Sequence, residues 1–453
     1  MKPIIITLAI IFLSIGSIKA KKDKPNIIVI FADDLSYNDL SCYGGAFPTT
    51  ILDQMAAEGF QAKDCIVPAN VCSPSRASLL TGRYPMRNGY PLVGNFGLHE
   101  DELTIPELLK PAGYRTLAVG KWHLGFHYEG SHPMDAGFDE YIGFPHNFLD
   151  AKGVADRSLY RGREKVKENI EFEEITPFYN EEVAAFIQRE KDNPFFIYMA
   201  HQIAHTPILP GSSFKGKTKK GPIADFVYEL DHSVGTVLQA LKKAGIERET
   251  LVVFLADNGP AGKRPIMHLS GSKFNTMEGG HRVPCVFRWP GTIPEGQVSQ
   301  TSISSMDLLP LFCDLAGVKL PKDRVIDGKN IRNVLLGKTK KSPHEFLYYY
   351  NGTNLQAVRQ GNWKLHLPRK IKDQPFWCRR AMGDIFFFLE LDQPYLVNFD
   401  PDLKEKNNLA EKYPEIVKTL MDEATRVRAE LGDVKLKGTD QRIAELKPYK
   451  KAK

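Results

Sequence analysis

A cysteine and an arginine stand at the start of a short predicted helix, in the stretch CSPSRASLLTGR from Cys72 to Arg83. Ser73 is suited to cap this helix, Pro74 to occupy its first position, and Arg76 falls within the first turn. Cys72 would then lie at the positive end of the helix dipole, where an anion is stabilised. The planar guanidinium of Arg76 could bind a tetrahedral oxyanion. A cysteine packed beneath a capped helix is the alternative interpretation of the same residues.

Four apolar, β-branched segments are each followed at once by polar residues that could do chemistry. The polar groups are Asp33-Asp34, Lys121 with His123, His201 with His205, and Asp257-Asn258. The first and last of these pairs offer only oxygen ligands, a set that favours Ca²⁺ or Mg²⁺ over zinc. Adjacent aspartates on a strand face opposite ways, so the chain must turn at Asp33-Asp34 if both are to bind one ion.

The elements that must position these residues alternate along the chain. The runs NIIVIFADD, RTLAVGKWHLG, PFFIYMAHQIAHTP and TLVVFLADNG are typical of buried strands, and helical patterns lie between them. This alternation predicts an α/β fold with a large, mostly parallel central sheet flanked by helices. Ligands of such sheets bind outside the carboxyl ends of the strands, so we expect the four groups of polar residues to form one site.

The chain divides into three predicted parts. Residues 1–20 carry one lysine, an apolar run and then small residues, a pattern typical of a cleaved signal peptide, with an uncleaved anchor as the alternative. We therefore expect export to the periplasm or the medium, without a stable membrane anchor. Residues 21–340 form the predicted α/β domain. Residues 341–453 contain short strand-like runs and a polar helix from about Pro414 to Leu431, which predicts a small subdomain with an antiparallel sheet plus a helix.

The composition narrows the class of protein. The 453 residues are 42% hydrophobic and 25% charged, which excludes disordered and fibrous chains. The net charge of +6 lacks the clustered basic face of a nucleic-acid-binding protein, so no nucleic acid is expected as a partner. A mildly basic balance suits a polyanionic substrate. Six cysteines without a Cys-x-x-Cys pair do not predict a disulfide framework.

Residues 72–83 resemble the signature of the formylglycine-dependent sulfatases, the arylsulfatase-like type I family of the alkaline phosphatase superfamily. The matching positions are CSPSR and LTGR. The similarity continues, in order, through FADDLSYNDLSCYGG, GYRTLAVGKWHLG, AHTP, ADNG and MEGGHRVP, and it reaches NNLAEKYPEIV near the C-terminus. It covers the whole predicted core and implies an alkaline-phosphatase-like fold.

The resemblance implies a covalent nucleophile at position 72. In this family a dedicated formylglycine-generating enzyme oxidises the cysteine to Cα-formylglycine before the chain folds, and the hydrated aldehyde is the nucleophile. One hydroxyl attacks sulfur, and the other, once deprotonated, expels sulfate as the aldehyde forms again. A thiolate of Cys72 would instead leave a stable thiosulfate ester.

The resemblance also implies one metal ion. The ion would be Ca²⁺, bound by a sulfate oxygen and five residues of the chain: Asp33, Asp34, modified Cys72, Asp257 and Asn258. These side chains agree with the oxygen ligands that Ca²⁺ prefers.

Cations and imidazoles take further roles by the same resemblance. Arg76 would orient and polarise the formylglycine hydrate, Lys121 would bridge it to the sulfate, and Lys273 would hold the sulfate oxygens. His123 would accept the proton of the second hydroxyl. His205 would protonate or hydrogen-bond the ester oxygen as the alcohol leaves.

Several other residues could line the substrate pocket. His201 lies off the motif and is interpreted as a packing residue. His281 stands where the resemblance leads us to expect an apolar residue, which suggests contact with substrate. Asp135, His146 and residues 144–161 could also line the pocket beyond the sulfate.

The residues leave two other functions open. A phosphodiesterase or phosphonate hydrolase of the same superfamily usually binds two transition metals and would carry Asp-His-Gly at the strand end, where this chain has Asp257-Asn258-Gly259. A non-catalytic carbohydrate-binding relic would not need every motif residue. Export, charge and the family pattern together predict a sulfatase that acts on a sulfated polysaccharide or oligosaccharide.

Overall fold

The computed structural model describes residues 24–94, 97–146, 157–262, 264, 268–373 and 389–444. The predicted signal peptide at residues 1–20 and Cys378 lie outside these ranges. The other five cysteines are free thiols. Among the described helices, none is both long enough and apolar enough to cross a bilayer.

Fifteen strands are assigned in the described ranges. In chain order they are β1 Asn26–Ala32, β2 Phe60–Ile66, β3 Arg115–Lys121, β4 Glu140–Phe144, β5 Leu159–Arg161, β6 Glu164–Lys167, β7 Phe195–Ala200, β8 Thr250–Ala256, β9 Arg282–Arg288, β10 Gln297–Ser299, β11 Ile303–Ser304, β12 Leu347–Asn351, β13 Asn354–Gln360, β14 Trp363–His366 and β15 Tyr395–Asn398. The four runs predicted as strands correspond to β1, β3, β7 and β8.

Ten α-helices are assigned in the same ranges. They are α1 Thr50–Ala57, α2 Cys72–Thr81, α3 Pro85–Asn88, α4 Ile105–Leu109, α5 Phe172–Glu190, α6 Pro222–Ala244, α7 Glu278–His281, α8 Leu308–Ala316, α9 Arg332–Leu335 and α10 Pro414–Leu431. The bounds of α10 are those expected from the sequence, because Pro414 fits the first helical turn and Gly432 follows the last one.

The large sheet has eleven strands and is mostly parallel at its centre. Its order is β10-β2-β9-β8-β1-β7-β3-β4-β5-β6, and β11 pairs with β2. Strand β1 lies between β7 and β8, is parallel to both, and every one of its residues is fully buried. Burial on both faces explains why β1 reads as a continuous apolar run rather than an alternating one. The predicted α/β fold is confirmed.

The register of the central strands sets the level at which they end. Ala32 of β1 lies beside Ala256 of β8, while Phe31 of β1 and Gly120 of β3 both lie beside Ala200 of β7. The polar residues that follow these positions therefore leave the sheet at one edge and at one height. Residues far apart in the chain are thereby brought together.

A second sheet, with the antiparallel order β12-β13-β14-β15, forms the C-terminal part of the described chain. Helix α10 packs on it through Leu420, Val427 and Leu431, which meet Val358 and Leu365 of the sheet. This is the predicted antiparallel sheet plus helix. The sheet also touches the large domain, because Ala69, three residues before α2, forms a parallel bridge with Tyr350 of β12.

Candidate active site

The chain turns where β1 ends, as two converging aspartates require. Asp33 donates its backbone N–H to the Ile203 carbonyl at 2.8 Å, and Asp34 has a positive φ of 55°. This left-handed conformation redirects the chain. The Asp34 backbone N–H then donates to Oδ1 of Asp257 at 3.1 Å, so the ends of β1 and β8 are joined directly.

Helix α2 begins at Cys72 itself, two residues earlier than the sequence suggested. Val71 is the N-cap residue, with extended φ and ψ of −145° and 150°, and its carbonyl accepts a bond from Ser75 N at 3.3 Å. The predicted cap at Ser73 is therefore wrong, and Pro74 occupies the third position instead of the first. Ser73 and Pro74 are still compatible with the first turn, because backbone N–H groups there have no acceptor within the helix and the missing N–H of proline costs no hydrogen bond. Cys72 lies nearer to the positive end of the dipole than expected.

Three acidic or thiol side chains converge at the edge of the sheet. Ligand atoms of Asp33, Cys72 and Asp257 lie within 4.8 Å of one another, and all three residues are buried. Oδ1 of Asp33 and Oδ1 of Asn258 are buried acceptors without a hydrogen-bond donor. Buried acceptors are normally paired, so these two oxygens point to a cation as their partner. The residues fit a hard cation such as Ca²⁺.

Asp34 completes this group of oxygens. Its Oδ1 accepts a hydrogen bond from Nδ2 of Asn258 at 2.7 Å, which turns the amide oxygen of Asn258 away from Asp34. This one hydrogen bond orients both side chains. Asp33, Cys72 and Asp257 are thus grouped at the edge of the sheet, and hydrogen bonds join Asp34 to Asp257 and to Asn258.

Three cations face the three carboxylates. Nη2 of Arg76 lies 2.7 Å from Asp257 and 3.7 Å from Asp33. Nζ of Lys121 lies 2.6 Å from Asp33. Nζ of Lys273 lies 2.6 and 2.8 Å from the two oxygens of Asp34. A divalent ion added to this balanced set would leave the site positive, which favours an anionic substrate.

Burial and charge move the carboxylate pKa values in opposite directions. Burial raises the pKa of Asp33, but the charges of Lys121, His205 and Arg76 outweigh it and hold that pKa well below its usual range. Burial and the neighbouring charge of Asp33 raise the pKa of Asp257 to about 7. Like charges held this close favour protonation of one of them. A bound cation would relieve that repulsion.

His123 leaves β3 beside Lys121. Its φ is 59°, and its Nδ1 is buried without a hydrogen-bond partner. Burial, together with the charge of Lys121, holds the pKa of the imidazole well below its usual range. The ring is therefore neutral at pH 7 and able to accept a proton.

His205 approaches the same point from the end of β7. Its Nδ1 lies 2.6 Å from the Thr206 carbonyl, which can only accept, so Nδ1 carries the hydrogen. Its Nε2 lies 3.8 Å from Oδ2 of Asp34 and therefore faces the site. Burial lowers the pKa of this imidazole, against the opposing charges of Asp33 and Asp34.

His201 and His281 are packing residues. The Nε2 atom of His201 lies 3.1 Å from Oγ of Ser233, and its ring meets Tyr179 edge-on, as expected for a structural histidine. The expectation that His281 contacts substrate is wrong. Nδ1 of His281 bonds the Val67 carbonyl at 2.8 Å and its ring packs on Tyr349, with no exposed surface.

A cavity opens beside Lys121 and His205. Its lining comprises Asp33, Lys121, Phe144, His146, Tyr179, Gln202 and His205. His146 was expected here; Asp135 does not line this cavity and is exposed and paired with Arg163 at 2.6 Å. The rest of the predicted 144–161 lining includes residues 147–156, outside the described ranges. Gln202 and Tyr179 were missed; the place of Gln202 directly after a strand, between His201 and His205, was the available signal.

Lys273 comes from a loop, and its backbone N–H donates to the Pro260 carbonyl at 3.0 Å. Pro260 follows Asn258-Gly259, so this bond ties the lysine to the end of β8. All six predicted catalytic residues thus lie around one point at the carboxyl edge of the sheet.

Comparison with known proteins adds the family. The family model described as Sulfatase matches residues 25–318, and the model described as C-terminal region of aryl-sulfatase matches residues 342–448. Human arylsulfatase A is 39% identical over 385 residues, covering 76% of this chain and 74% of that protein. Mouse N-acetylgalactosamine-6-sulfatase is 38% identical over 378 residues, covering 76% of this chain and 72% of that protein.

Solved structures show the same architecture. A Bacteroides thetaiotaomicron sulfatase described in the metabolism of multiple glycosaminoglycans has a TM-score of 0.79 at 26% identity, covering 90% of this chain and 100% of that chain. Ps i-CgsB in complex with k-i-k-neocarrahexaose has a TM-score of 0.78 at 29% identity, covering 93% of this chain and 94% of that chain.

Proposed function

The chain belongs to the sulfatase family, and from that premise we propose that it removes sulfate from a sulfated carbohydrate, using formylglycine at position 72 and one Ca²⁺. The observation that carries this proposal is the convergence of Cys72 with three carboxylates, three cations and two imidazoles. Each of these side chains has a role in the cleavage of a sulfate ester. The relatives' catalytic activity makes a non-catalytic relic the weaker alternative.

The surroundings of Cys72 favour its conversion over its use as a thiol. Burial raises the pKa of the Cys72 thiol, against the charges of Lys121 and Lys273. A protonated thiol is a poor nucleophile. As a hydrated aldehyde, residue 72 would offer an oxygen nucleophile at the helix N-terminus. This proposal implies a formylglycine-generating enzyme as a partner during maturation. The predicted signal peptide at residues 1–20 implies that the protein is exported.

One Ca²⁺ would be held by Asp33, Asp34, Asp257 and Asn258 together with residue 72, and when bound it would neutralise these carboxylates and polarise a sulfate oxygen. The two buried acceptors without donors, on Asp33 and Asn258, support this assignment.

The three cations would bind and orient the sulfate group. Arg76 is buried and fixed by Asp257, so it can hold the hydroxyls of residue 72 without moving. Lys121 and Lys273 stand on either side of the aspartates, where they can donate to sulfate oxygens. Fixed donors aimed at a developing charge stabilise the transition state more than mobile ones do.

The two histidines would move protons on opposite sides of the sulfate. His123 is neutral, with a free Nδ1, and would accept the proton of the second hydroxyl at residue 72. His205 would hydrogen-bond the ester oxygen through Nε2 when the imidazole is protonated; burial disfavours that cation, and the charges of Asp33 and Asp34 oppose the effect of burial.

A carbohydrate is the substrate class that the relatives support. The printed names include N-acetylgalactosamine-6-sulfatase, and the solved neighbours include one linked to glycosaminoglycans and one bound to neocarrahexaose. The net charge of +6 suits a polyanion of this kind.

The alternative function, that of a phosphodiesterase or phosphonate hydrolase, is less favoured. The described metal cluster contains Asp33, Cys72 and Asp257 and no histidine. Two-metal phosphodiesterases use histidine ligands as well, so this oxygen set argues against them.

The experiment that tests the function is release of inorganic sulfate from defined sulfated monosaccharides and oligosaccharides. The protein should be produced together with a formylglycine-generating enzyme. We expect desulfation of at least one sugar by the wild type and none by Cys72→Ala. Sulfate release by folded Cys72→Ala, or cleavage of phosphodiesters in preference to sulfate esters, would contradict the proposal.

A further inference from the structure

Lys273 begins a buried segment that ends at Glu278, here called the Lys273 segment. Two backbone bonds join its start to the large domain: Lys273 N to the Pro260 carbonyl at 3.0 Å, and Phe274 N to the Asn70 carbonyl at 3.1 Å. Phe274 has a positive φ of 78°. A non-glycine residue in this conformation costs free energy, so surrounding contacts must hold it.

Those contacts come from the C-terminal sheet. Asn351, the last residue of β12, donates Nδ2 to the Phe274 carbonyl at 2.8 Å. Thr276 Oγ1 bonds Oε1 of Gln356 on β13 at 2.9 Å. Lys364 on β14 donates Nζ to the Thr276 carbonyl at 2.7 Å. Three strands of the second sheet therefore hold successive parts of the Lys273 segment.

The end of the segment is held by buried polar and charged groups of the same sheet and of the chain that follows it. Glu278 accepts bonds from the Tyr349 hydroxyl at 2.9 Å and from Lys364 Nζ at 3.0 Å. Its backbone N–H donates to Oε1 of Glu405 at 2.6 Å. Lys364 is fully buried between Glu278 and Glu405, and its Nζ lies 3.3 Å from Oε2 of Glu405.

Burial of this many charges is not explained by stability alone. Apolar residues of similar volume would hold two layers together as well as a buried ion pair does, without its desolvation cost. What the polar contacts add is a fixed geometry, because each one accepts only a narrow range of distances and angles.

We propose that the C-terminal sheet is a positioning element for Lys273, acting through Asn351 and Lys364 on the backbone of the Lys273 segment and through Gln356 on the side chain of Thr276. This inference rests on the proposed role of Lys273 in holding sulfate. Without these contacts the segment shifts, and the ammonium group leaves its place beside Asp34. Weaker binding of sulfate is the direct consequence.

The test measures inhibition by inorganic sulfate, KM and kcat of the mature enzyme. Gln356→Met and Lys364→Met remove the contacts while keeping side-chain length. Both should weaken sulfate inhibition and raise KM about tenfold or more, with a smaller change in kcat. Val427→Ala is the control, since Val427 of α10 packs on the sheet in an apolar cluster that contains no residue of the Lys273 segment.

The outcomes separate the inference from the function. A Val427→Ala enzyme with the same loss of Tm should keep wild-type inhibition by sulfate. If folded, active Gln356→Met keeps the wild-type KM and the wild-type inhibition by sulfate, the positioning role is overturned and the sulfatase function stands. The same holds if Val427→Ala changes KM and sulfate inhibition as much as Gln356→Met does. Absence of sulfatase turnover in the mature wild type would overturn both.

A different observation supports a second inference, which concerns residues 215–221, KGKTKKG, here called the lysine loop. The loop is the last part of the connection that runs from the end of β7 at Ala200, through His205, to the start of α6 at Pro222. It therefore lies at the carboxyl edge of the sheet, like the active site. Nζ of Lys220 bonds the carbonyl of Ala46, in the segment that follows Asp33-Asp34.

The loop presents its charges on an ordered backbone. Asp225 accepts hydrogen bonds from the backbone N–H of Gly216 at 2.7 Å and of Thr218 at 2.9 Å. Lys215, Lys217 and Lys219 are exposed, and none of the three has an ion pair with a carboxylate in the described part of the chain. Three uncompensated cations within five residues attract an extended polyanion.

We infer that the lysine loop binds the sulfated chain beyond the residue being cleaved, so the substrate is a polymer or long oligosaccharide. This inference also rests on the proposed function. The test compares Lys215→Ser/Lys217→Ser/Lys219→Ser with the wild type on a sulfated polysaccharide and on 4-nitrophenyl sulfate, over a range of NaCl concentrations.

The variant should raise KM for the polymer about fivefold or more and flatten its dependence on salt, while turnover of 4-nitrophenyl sulfate stays unchanged. Lys242→Ser/Lys243→Ser, which removes two exposed lysines at the opposite end of α6, is the control and should leave both unchanged. An unchanged KM for the polymer in the loop variant, or an equal rise in the control, would overturn the inference. Loss of activity on both substrates in the wild type would instead remove the proposed function.

Discussion

At the scale of single residues, the two ring nitrogens of His205 have different surroundings. Nδ1 is fixed by the Thr206 carbonyl, and Nε2 faces the site near Asp34. A functional histidine at this strand end could be expected from the sequence, since it follows a buried run. It could not show which nitrogen faces the substrate, because that depends on the fold of the loop.

The leaving group tests His205. A sugar hydroxyl is a poor leaving group and needs a proton, whereas 4-nitrophenolate leaves without one. His205→Ala should therefore lower kcat/KM for a carbohydrate sulfate by about 10²–10⁴, and for 4-nitrophenyl sulfate by much less. Equal losses for the two substrates would contradict a role in protonating the ester oxygen.

Metal removal tests the group of oxygen ligands. EGTA should lower both activity and Tm, because the buried charges of Asp33, Asp34 and Asp257 would lose their counter-ion. Added Ca²⁺ should restore both quantities. Recovery with Zn²⁺ alone would favour the phosphodiesterase function instead.

At the scale of elements, the site exists because four strand ends and one helix start meet at the same height. The strands and their polar ends were predictable from the sequence, since buried runs followed by Asp, Lys or His form a simple pattern. The position of the helix cap was not, because Val71 has no side-chain oxygen to mark it. His281 was misjudged for a similar reason: its burial depends on β12, from a distant part of the chain.

Close backbone packing joins the turn after β8 to α7. Gly259 donates its N–H to the Gly280 carbonyl at 3.0 Å, and a Cβ on Gly259 would lie 1.7 Å from the Gly279 carbonyl oxygen. Gly259→Ala should therefore destabilise the fold by about 3 kcal/mol or more and displace Asn258. Thermal unfolding would measure this. Gly211→Ala, where the nearest atom is 3.6 Å away, is the control and should change Tm little.

At the scale of the whole molecule, buried histidines link stability to pH. Burial lowers the pKa of His201 to about 3, and that of His281 and His366 to about 4. The unfolded chain, with ordinary values near 6.5, binds protons first as the pH falls. The stability that these neutral rings contribute is therefore complete above about pH 6.5 and is lost progressively as the pH falls toward 4.

We expect Tm to decrease steadily between about pH 6.5 and pH 5, with each buried histidine contributing about 1.4 kcal/mol per pH unit. His201→Gln, which can keep a bond to Ser233, should make this decrease shallower. An unchanged slope in that variant would show that His201 is not among the groups responsible.

The central claim is that Cys72 is converted to formylglycine, and mass spectrometry of one tryptic peptide tests it most directly. The peptide from Asp64 to Arg76 contains both Cys65 and Cys72, so Cys65 serves as an internal control. In active protein treated with iodoacetamide, we predict one alkylated cysteine, at Cys65, and a residue 72 in which oxygen has replaced sulfur with the loss of two hydrogens. Two alkylated cysteines in fully active protein would contradict the account.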